Sequence, residues 1–129
     1  MKKLAIIISL FVSVISLFAE TDIYQEVASA IRSGNAKEIS KYFNTNVDLT
    51  ILTQEDTYSK TQAELIIKDF FAKNTPKSFT LMHQGTSKEG AMYAIGTLLT
   101  TQGATFRTSF FIKQTSGKYY IRELRFEKD

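Results

Sequence analysis

The single histidine of the chain, His83, is the residue best suited to proton transfer. Near neutral pH an imidazole in a pocket can act as a general base or as a hydrogen-bond donor. Alternation in the strand predicted around it places His83 on the same side as Phe79, Leu81 and Gly85. The default interpretation is a packed histidine bonded to a carbonyl oxygen or a helix end. A catalytic dyad would require a carboxylate that only the fold could bring near, and the candidates are Asp48, Asp56 and Asp69.

Two arginines, Arg107 and Arg122, alternate with apolar, aromatic or hydroxyl-bearing residues in predicted strands. A guanidinium in a half-apolar cavity can bind a carboxylate through a bidentate pair of hydrogen bonds. The alternative is a solvated strand face on which the arginine stem covers aromatic rings. The neighbours expected on the same face are Thr105, Ser109 and Phe111 for Arg107, and Tyr120, Leu124 and Phe126 for Arg122.

Tyrosines could add hydroxyl groups to the same pocket, although aromatic residues with a polar tip are also ordinary members of sheets. Together with the histidine and one arginine they form the expected binding site, and no residue is assigned a catalytic role. The predicted pocket lining is Tyr58, His83, Tyr93, Arg107 and Tyr120.

Composition excludes several chemistries. The chain has no cysteine, so disulfides, thiolate catalysis and cysteine zinc sites are ruled out. A single histidine leaves only carboxylates as metal ligands, and calcium-loop, phosphate-loop, dinucleotide-binding and nucleophile-elbow motifs are missing from the sequence. Neither a metal nor a cofactor is therefore expected. The chain carries 16 basic and 13 acidic side chains without a basic block, so nucleic-acid binding is not expected either.

The N-terminus has the layout of a secretory signal peptide. Two lysines follow the initiating methionine, an apolar run extends from Leu4 to Phe18, and Ala19 precedes polar residues. The run is about 15 residues long, shorter than the roughly 20 that a membrane-spanning helix needs. We expect a signal peptide over residues 1–19, export to the periplasm or the extracellular space, and one mature domain over 20–129 with no stable membrane anchor. An uncleaved anchor is the alternative.

Helix signals dominate the first half of the mature chain. Asp22 and Asn35 are candidate helix caps, and Gly34 suits a left-handed residue between two helices. The segment from Thr61 to Glu64 is typical of a capping box that opens a third, strongly apolar helix. The predicted elements are a helix over 22–33, a short helix ending at Asn44-Thr45-Asn46, strands over 47–52 and 55–59, and a helix from 61 to about 74.

Beyond Pro76 the hydrophobic period changes to two, which predicts an antiparallel meander. The order of helices and strands favours an α+β fold, with N-terminal helices packed in a strongly curved, mostly antiparallel sheet that forms a cone. Gly85 and Gly96 lie inside strands and are expected at bends or bulges. The predicted strands are about 79–87, 91–101, 104–114 and 118–127.

Phe110 and Phe111 are adjacent in one predicted strand and must point to opposite sides of the sheet. Only one of them can enter the core beneath the helices. The other is expected to face a second layer or a partner, which motivates the hypothesis of a homodimer through the sheet.

The order of elements resembles the nuclear transport factor 2-like fold, also called the cystatin-like α+β roll, over about residues 21–128. More narrowly, the chain is similar to a family of small exported bacterial proteins of unknown function that has this fold. The resemblance implies the architecture and export, but no activity, because the broad fold hosts isomerases, dehydratases, hydrolases and binding proteins. The residues that carry it are Gly34-Asn35, Tyr42-Phe43, Tyr58 to Glu64, Asp69-Phe70-Phe71, His83-Gln84-Gly85 and Tyr93 to Gly96.

These features favour an exported binding or interaction module without catalytic machinery. Its partner would be a small, partly apolar ligand or a protein docked on the sheet. The alternative is a pocket enzyme of the isomerase, dehydratase or hydrolase type that uses His83 or a buried carboxylate. An enclosed cavity that contains such a group beside a second polar group would distinguish the enzyme from the binding module.

Overall fold

The computed structural model describes residues 22–87 and 89–129. The predicted signal peptide over residues 1–19 lies outside the described residues. No helix within the described ranges is long and apolar enough to cross a membrane. The elements are α1 (Ile23–Ser33), α2 (Ala36–Ser40), β1 (Phe43–Ile51), β2 (Gln54–Ser59), α3 (Lys60–Lys73), β3 (Pro76–Thr86), β4 (Ala91–Thr100), β5 (Thr105–Thr115) and β6 (Lys118–Lys128).

The first two helices begin where their capping residues predict. The Asp22 side chain accepts a hydrogen bond from the backbone N–H of Tyr24, and the Asn35 side chain accepts from those of Lys37 and Glu38. Gly34 separates the helices with φ of 66°, in the left-handed region where a side chain would be strained. These predictions are confirmed. The sequence was sufficient for them because each feature rests on hydrogen bonds within one short segment.

The cap of α3 differs from the prediction. Ser59, not Thr61, is the N-cap, and its hydroxyl accepts from the N–H of Gln62, 3.3 Å away. The Gln62 side chain reaches back to the backbone N–H of Ser59, which completes a capping box two residues earlier than the sequence indicates. The pattern of a small hydroxyl residue followed three positions later by Gln or Glu occurs twice here. Pairing of Ser59 with Asn46 ends β2 at this residue and selects the earlier box.

The sheet has the order β2-β1-β6-β5-β4-β3, and all neighbours are antiparallel except β1 and β6. The last strand thus lies in the middle of the sheet, beside the first. Phe43 pairs with Ile121, and the N–H of Ile121 donates to the carbonyl of Tyr42 at 2.6 Å. This pairing draws residues 43–46 into β1, whereas the sequence pattern predicts a strand only from Val47. The α+β fold with helices against a curved, unclosed sheet is confirmed.

The core lies between the three helices and the side of the sheet that faces them, here called the inner face. Helix α1 packs against β3 and α3 packs against β1. Phe110 is fully buried, whereas Phe111 is 40% exposed on the opposite side, the outer face. The prediction that these two adjacent phenylalanines point to opposite sides of the sheet is therefore confirmed. The largest fully buried aromatic side chains are Phe43, Phe79, Phe110 and Phe126.

Two irregularities change which side chains share a face. In β3 the register shifts between Leu81 and His83, and in β6 the residues paired with Phe111 and Ile112 are Glu123 and Ile121, so that Arg122 is unpaired. An extra residue in one strand reverses the alternation beyond it. As a result, neither His83 nor Arg122 lies on the same side of the sheet as all of the neighbours predicted for it.

Candidate functional site

The residues of the predicted pocket do not lie in one place. Tyr58 is half-buried on the inner side of the sheet, near α3. His83, Tyr93 and Arg107 are exposed on the outer face. Tyr120 is half-buried at the outer side of β6, beside Lys113. The cone therefore does not bring the five side chains around one ligand.

The irregularity in β3 explains the position of His83. Phe79 and Leu81 pair with Leu98 and Gly96 on the inner face. After the shift, His83 lies opposite Ile95, whose strand neighbours Ala94 and Gly96 are buried on the other side. The expectation that His83 shares a side with Phe79 and Leu81 is wrong, and the imidazole is exposed to solvent.

The two arginines differ in whether they lie on the face that the sequence predicts. Arg107 shares the outer face with Ser109 and Phe111, as predicted, and its side chain is exposed. Arg122 does not share a face with Leu124, because it is the extra residue of the β6 irregularity. It lies with Tyr120 at a shallow cleft of about 260 Å³ that also borders Asn44, Lys113 and Thr115.

Most of the inner face is filled by side chains rather than by a ligand cavity. Phe70 and Phe126 have ring centroids 4.7 Å apart, and Phe106 and Phe71 pack edge-on against this pair. Aromatic pairs at these distances contribute about 0.5–1.5 kcal/mol each beyond their buried area. The aromatic cluster therefore closes the interior of the cone between α3 and β5–β6.

An opening remains beside this cluster, between α3 and the β1–β2 hairpin, and we call it the hairpin groove. It has a volume of about 240 Å³. Its apolar floor and walls are formed by Leu49, Ile51, Ile66, Phe70 and the ring of Tyr58. The groove exists because β2 is a short edge strand, which leaves the inner side of the hairpin only partly covered by α3.

Polar groups form the rim of the hairpin groove. Asp69 and Lys73 are one turn apart on α3, and their charged groups pair at 3.0 Å. The Asn74 amide nitrogen donates to the carbonyl of Phe70 at 3.0 Å, and Gln54 completes the rim. The pairing of Asp69 with Lys73 leaves the groove without net charge, so it suits an uncharged, largely apolar molecule with a hydrogen-bonding group.

Sequence reasoning identified Tyr58 but not the rest of the groove. Ile51 and Ile66 were recognisable as apolar residues of a strand and a helix, yet nothing in their spacing shows that these two elements lie side by side. Leu52 borders the groove with φ of 59°, and its N–H donates to the carbonyl of Phe126 at 2.7 Å. A leucine in this conformation has no sequence signal, because glycine or asparagine is the usual choice there.

The outer face of the sheet carries a second surface with unusual composition. Tyr93 and Phe111 are directly paired across β4 and β5, their ring centroids are 6.4 Å apart, and they are 38% and 40% exposed. The next pair along the same two strands is Ile95 with Ser109, both half-buried. We call these four residues the aromatic patch.

Charged residues flank the aromatic patch on β6. Arg125 pairs with Glu123 at 3.3 Å and with Glu127 at 3.0 Å, and all three side chains are partly exposed. Further along the same face, Asp48 of β1 accepts a hydrogen bond from the Thr57 hydroxyl at 2.6 Å. Ion pairs at this exposure contribute little stability, typically below about 1 kcal/mol.

A third depression, of about 490 Å³, lies along α1 and α2 and contains Tyr42. Burial raises the pKa of the Tyr42 phenol, and the nearby carboxylates Glu26 and Glu38 raise it further, against a smaller lowering by Lys41. A hydroxyl with a raised pKa remains protonated at neutral pH and is a poor nucleophile. This depression is wide and open, and Gln25, Ser29, Ser33 and Glu38 along it are exposed to solvent.

The part of the chain that the structure describes contains no set of side chains suited to bind a metal ion. Within residues 22–87 and 89–129, no three side chains of the His, Asp or Glu type are grouped closely enough to hold a metal ion.

Comparison with known proteins identifies relatives without an assigned activity. The model of the family described as "Domain of unknown function (DUF4783)" matches residues 24–127. A crystal structure of a DUF4783 family protein from Bacteroides ovatus is 33% identical, with a TM-score of 0.75 over 81% of this chain and 93% of the other. One from Bacteroides uniformis is 30% identical, with a TM-score of 0.77 over 84% and 98%. No curated protein matches the chain.

Similarity of fold extends to the nuclear transport factor 2 class. A designed NTF2 protein has a TM-score of 0.62 over 81% of this chain and 92% of its own, at 13% identity. At that identity the likeness shows the fold alone, and it confirms the fold resemblance predicted from the order of elements.

Proposed function

We propose that this chain, which belongs to the DUF4783 family and has the nuclear transport factor 2-like fold, is a non-catalytic binding module for a small, largely apolar molecule. The observation that carries the proposal is the hairpin groove, which stays open beside an interior closed by aromatic rings. Binding pockets are mostly apolar, with a few polar groups that orient the ligand. The groove has this composition.

The size and charge of the groove limit the ligand. Its volume of about 240 Å³ lies below the roughly 300–1,000 Å³ typical of pockets for drug-sized molecules. A short aliphatic chain or a single ring with one polar group fits this space. The paired charges of Asp69 and Lys73 argue against a strongly charged ligand, because a charge would find no unpaired partner at this rim.

The positions of the titratable groups favour binding over catalysis. Catalytic acids and bases are usually partly buried in clefts where their pKa values are tuned. His83 is exposed on the outer face, and the Asp69 side chain at the groove is 67% exposed and paired with Lys73. Neither residue has the dry surroundings that the alternative of a pocket enzyme requires.

A titration of the protein with 1-octanol, followed by methyl NMR of isoleucine and leucine, tests the proposal. We expect saturable shifts of the Ile51 and Ile66 methyl groups and none at Leu65, which is 60% exposed and lies outside the groove. Ile66→Gln should weaken binding roughly tenfold, since it removes about 1.4 kcal/mol of apolar contact. Leu65→Gln, the adjacent control on α3, should leave the affinity unchanged.

Equal shifts throughout the protein, or equal affinities of the Ile66→Gln and Leu65→Gln proteins, would contradict a site in the groove. Circular dichroism of both variants shows whether a loss of binding reflects a loss of fold. The methyl shifts of the unmodified protein report on the site even if Ile66→Gln does not fold.

We also propose that the module acts outside the cytoplasm. The support is the layout of residues 1–19, with its lysines, apolar run and Ala19 before Glu20. When the full chain is expressed in a bacterium, N-terminal sequencing of the accumulated protein should begin at or near Glu20. A protein that keeps Met1 and stays in the cytoplasm would overturn the proposal of export.

A further inference from the structure

The shallow cleft beside Arg122 is separate from the hairpin groove, and we call it the arginine cleft. It has a volume of about 260 Å³ and lies between β1, β5 and β6. All five lining residues can donate hydrogen bonds from their side chains, and two of them are cations. We propose that this cleft binds the phosphate group of a small phosphorylated molecule. The lining consists of Asn44, Lys113, Thr115, Tyr120 and Arg122.

Two strand irregularities coincide at the arginine cleft and explain why it exists. Between Phe43 and Asp48, which both have partners on β6, β1 contains the four residues 44–47, whereas the matching part of β6 contains Arg122 alone. Arg122 is also the extra residue of β6 relative to β5, so it has a register partner on neither neighbouring strand. Such bulges are frequent next to functional sites, because they change the direction of a side chain.

The two cations of the cleft have no competing partner in the described structure. Among residues 22–87 and 89–129, neither Lys113 nor Arg122 takes part in an ion pair, whereas Arg125 on the same strand pairs with two glutamates. Lys113 lies directly opposite Tyr120, and the next pair on that side of the two strands is Thr115 with Lys118. Lys118 therefore adds a third positive charge at the end of the cleft.

Two carboxylates near these cations border a neighbouring cleft. This second cleft, of about 230 Å³, shares Lys113 and Arg122 and is bordered by Asp48 and Glu123. Asp48 accepts a hydrogen bond from a threonine hydroxyl at 2.6 Å, and Glu123 pairs with Arg125 at 3.3 Å. Because both acids have other partners and line the second cleft, an anion in the arginine cleft can contact both cations without contacting a carboxylate.

The arrangement of donors favours phosphate over a carboxylate. A carboxylate has two oxygens in one plane, which a single guanidinium can satisfy. A phosphate monoester has three terminal oxygens that need donors from several directions. The cleft supplies them from three strands, with Asn44 on β1, Lys113 and Thr115 on β5, and Tyr120 and Arg122 on β6. The rest of the volume accommodates the group that carries the phosphate.

An NMR titration with inorganic phosphate tests the site. At an ionic strength of about 0.1 M, exposed charges more than about 10 Å apart are largely screened from one another. We expect saturable shifts of the backbone amides of Asn44, Lys113 and Arg122, with a Kd on the order of 1 mM, and weaker binding of acetate. Shifts that do not saturate, or that occur equally at all surface lysines and arginines, would overturn the site. Acetate binding as tight as phosphate binding would overturn the choice of phosphate.

Two arginine variants provide the matched comparison. Arg122→Gln should weaken phosphate binding roughly tenfold, because it removes a charge-assisted pair of hydrogen bonds. Arg107→Gln should leave the affinity unchanged, since Arg107 is also exposed on the outer face but lies outside the cleft. Equal phosphate affinities of the two variants would contradict the proposal. Both should bind 1-octanol like the unmodified protein, because the hairpin groove lies on the inner side of the sheet, and this result also verifies that each variant is folded.

Discussion

Phe110→Ala is expected to destabilise the protein by about 3–5 kcal/mol, whereas Phe111→Ala is expected to cost less than about 1 kcal/mol. The two residues are adjacent in β5 and identical in chemistry, but Phe110 is fully buried and Phe111 is 40% exposed. Removing a buried ring leaves a cavity that the surrounding core refills only in part. Removing an exposed ring leaves space that water occupies.

Urea unfolding followed by circular dichroism measures both changes. The experiment belongs at low micromolar concentration or below, where association contributes least to the apparent stability. Similar losses for the two variants would mean that Phe111 is covered in the protein or that Phe110 is not in the core. A larger loss for Phe111→Ala would reverse the assignment of the inner and outer faces.

Gly96→Ala is expected to cost about 2–3 kcal/mol, which lowers the melting temperature by an amount on the order of 10 °C. A Cβ at position 96 would lie 2.6 Å from the Thr80 carbonyl oxygen and 2.7 Å from the ring of Phe79. The first atom belongs to the backbone of the paired strand, and Phe79 is only 2% exposed. Neither can move without disturbing the sheet or the core.

Gly85→Ala is the matched control for this prediction. Gly85 also lies within a strand, and the three atoms nearest to a Cβ there belong to the ring and hydroxyl of Tyr93, the closest at 2.7 Å. Tyr93 is exposed and can rotate away, so the expected cost is below about 1 kcal/mol. Thermal unfolding of both variants at equal protein concentration measures the two changes in melting temperature. Equal melting temperatures would show that the contact at Gly96 relaxes, which would contradict a rigidly packed β3–β4 pair.

Gly96 also shows which part of a bulge can be predicted from local sequence and which part cannot. The sequence predicts a bend or bulge at this glycine, and the register irregularity between Leu81 and His83 lies opposite Gly96 and Ile95. The extra residue is on β3 rather than on β4. A missing side chain identifies the place where two backbones approach closely, but which strand takes the extra residue depends on the pairing.

The sequence by itself determined the helix caps at Asp22 and Asn35, the left-handed Gly34, the change to period two after Pro76 and the opposite orientations of Phe110 and Phe111. Each of these follows from hydrogen bonds or side-chain directions within a few neighbouring residues, so a short segment contains all the required information.

Only the tertiary structure decided that Phe43 begins a strand beside Ile121, that His83 and Arg122 leave their expected faces, and that the hairpin groove lies against α3. These features depend on strand pairs formed by residues far apart in the chain. A single extra residue reverses every side chain beyond it, and its position is set by how twisted strands fit around a common core. The irregularity in β3 moved His83 to the outer face, where ordinary alternation already places Tyr93 and Arg107, while Tyr58 lies on the inner side. The fold that should have contained the predicted pocket was confirmed.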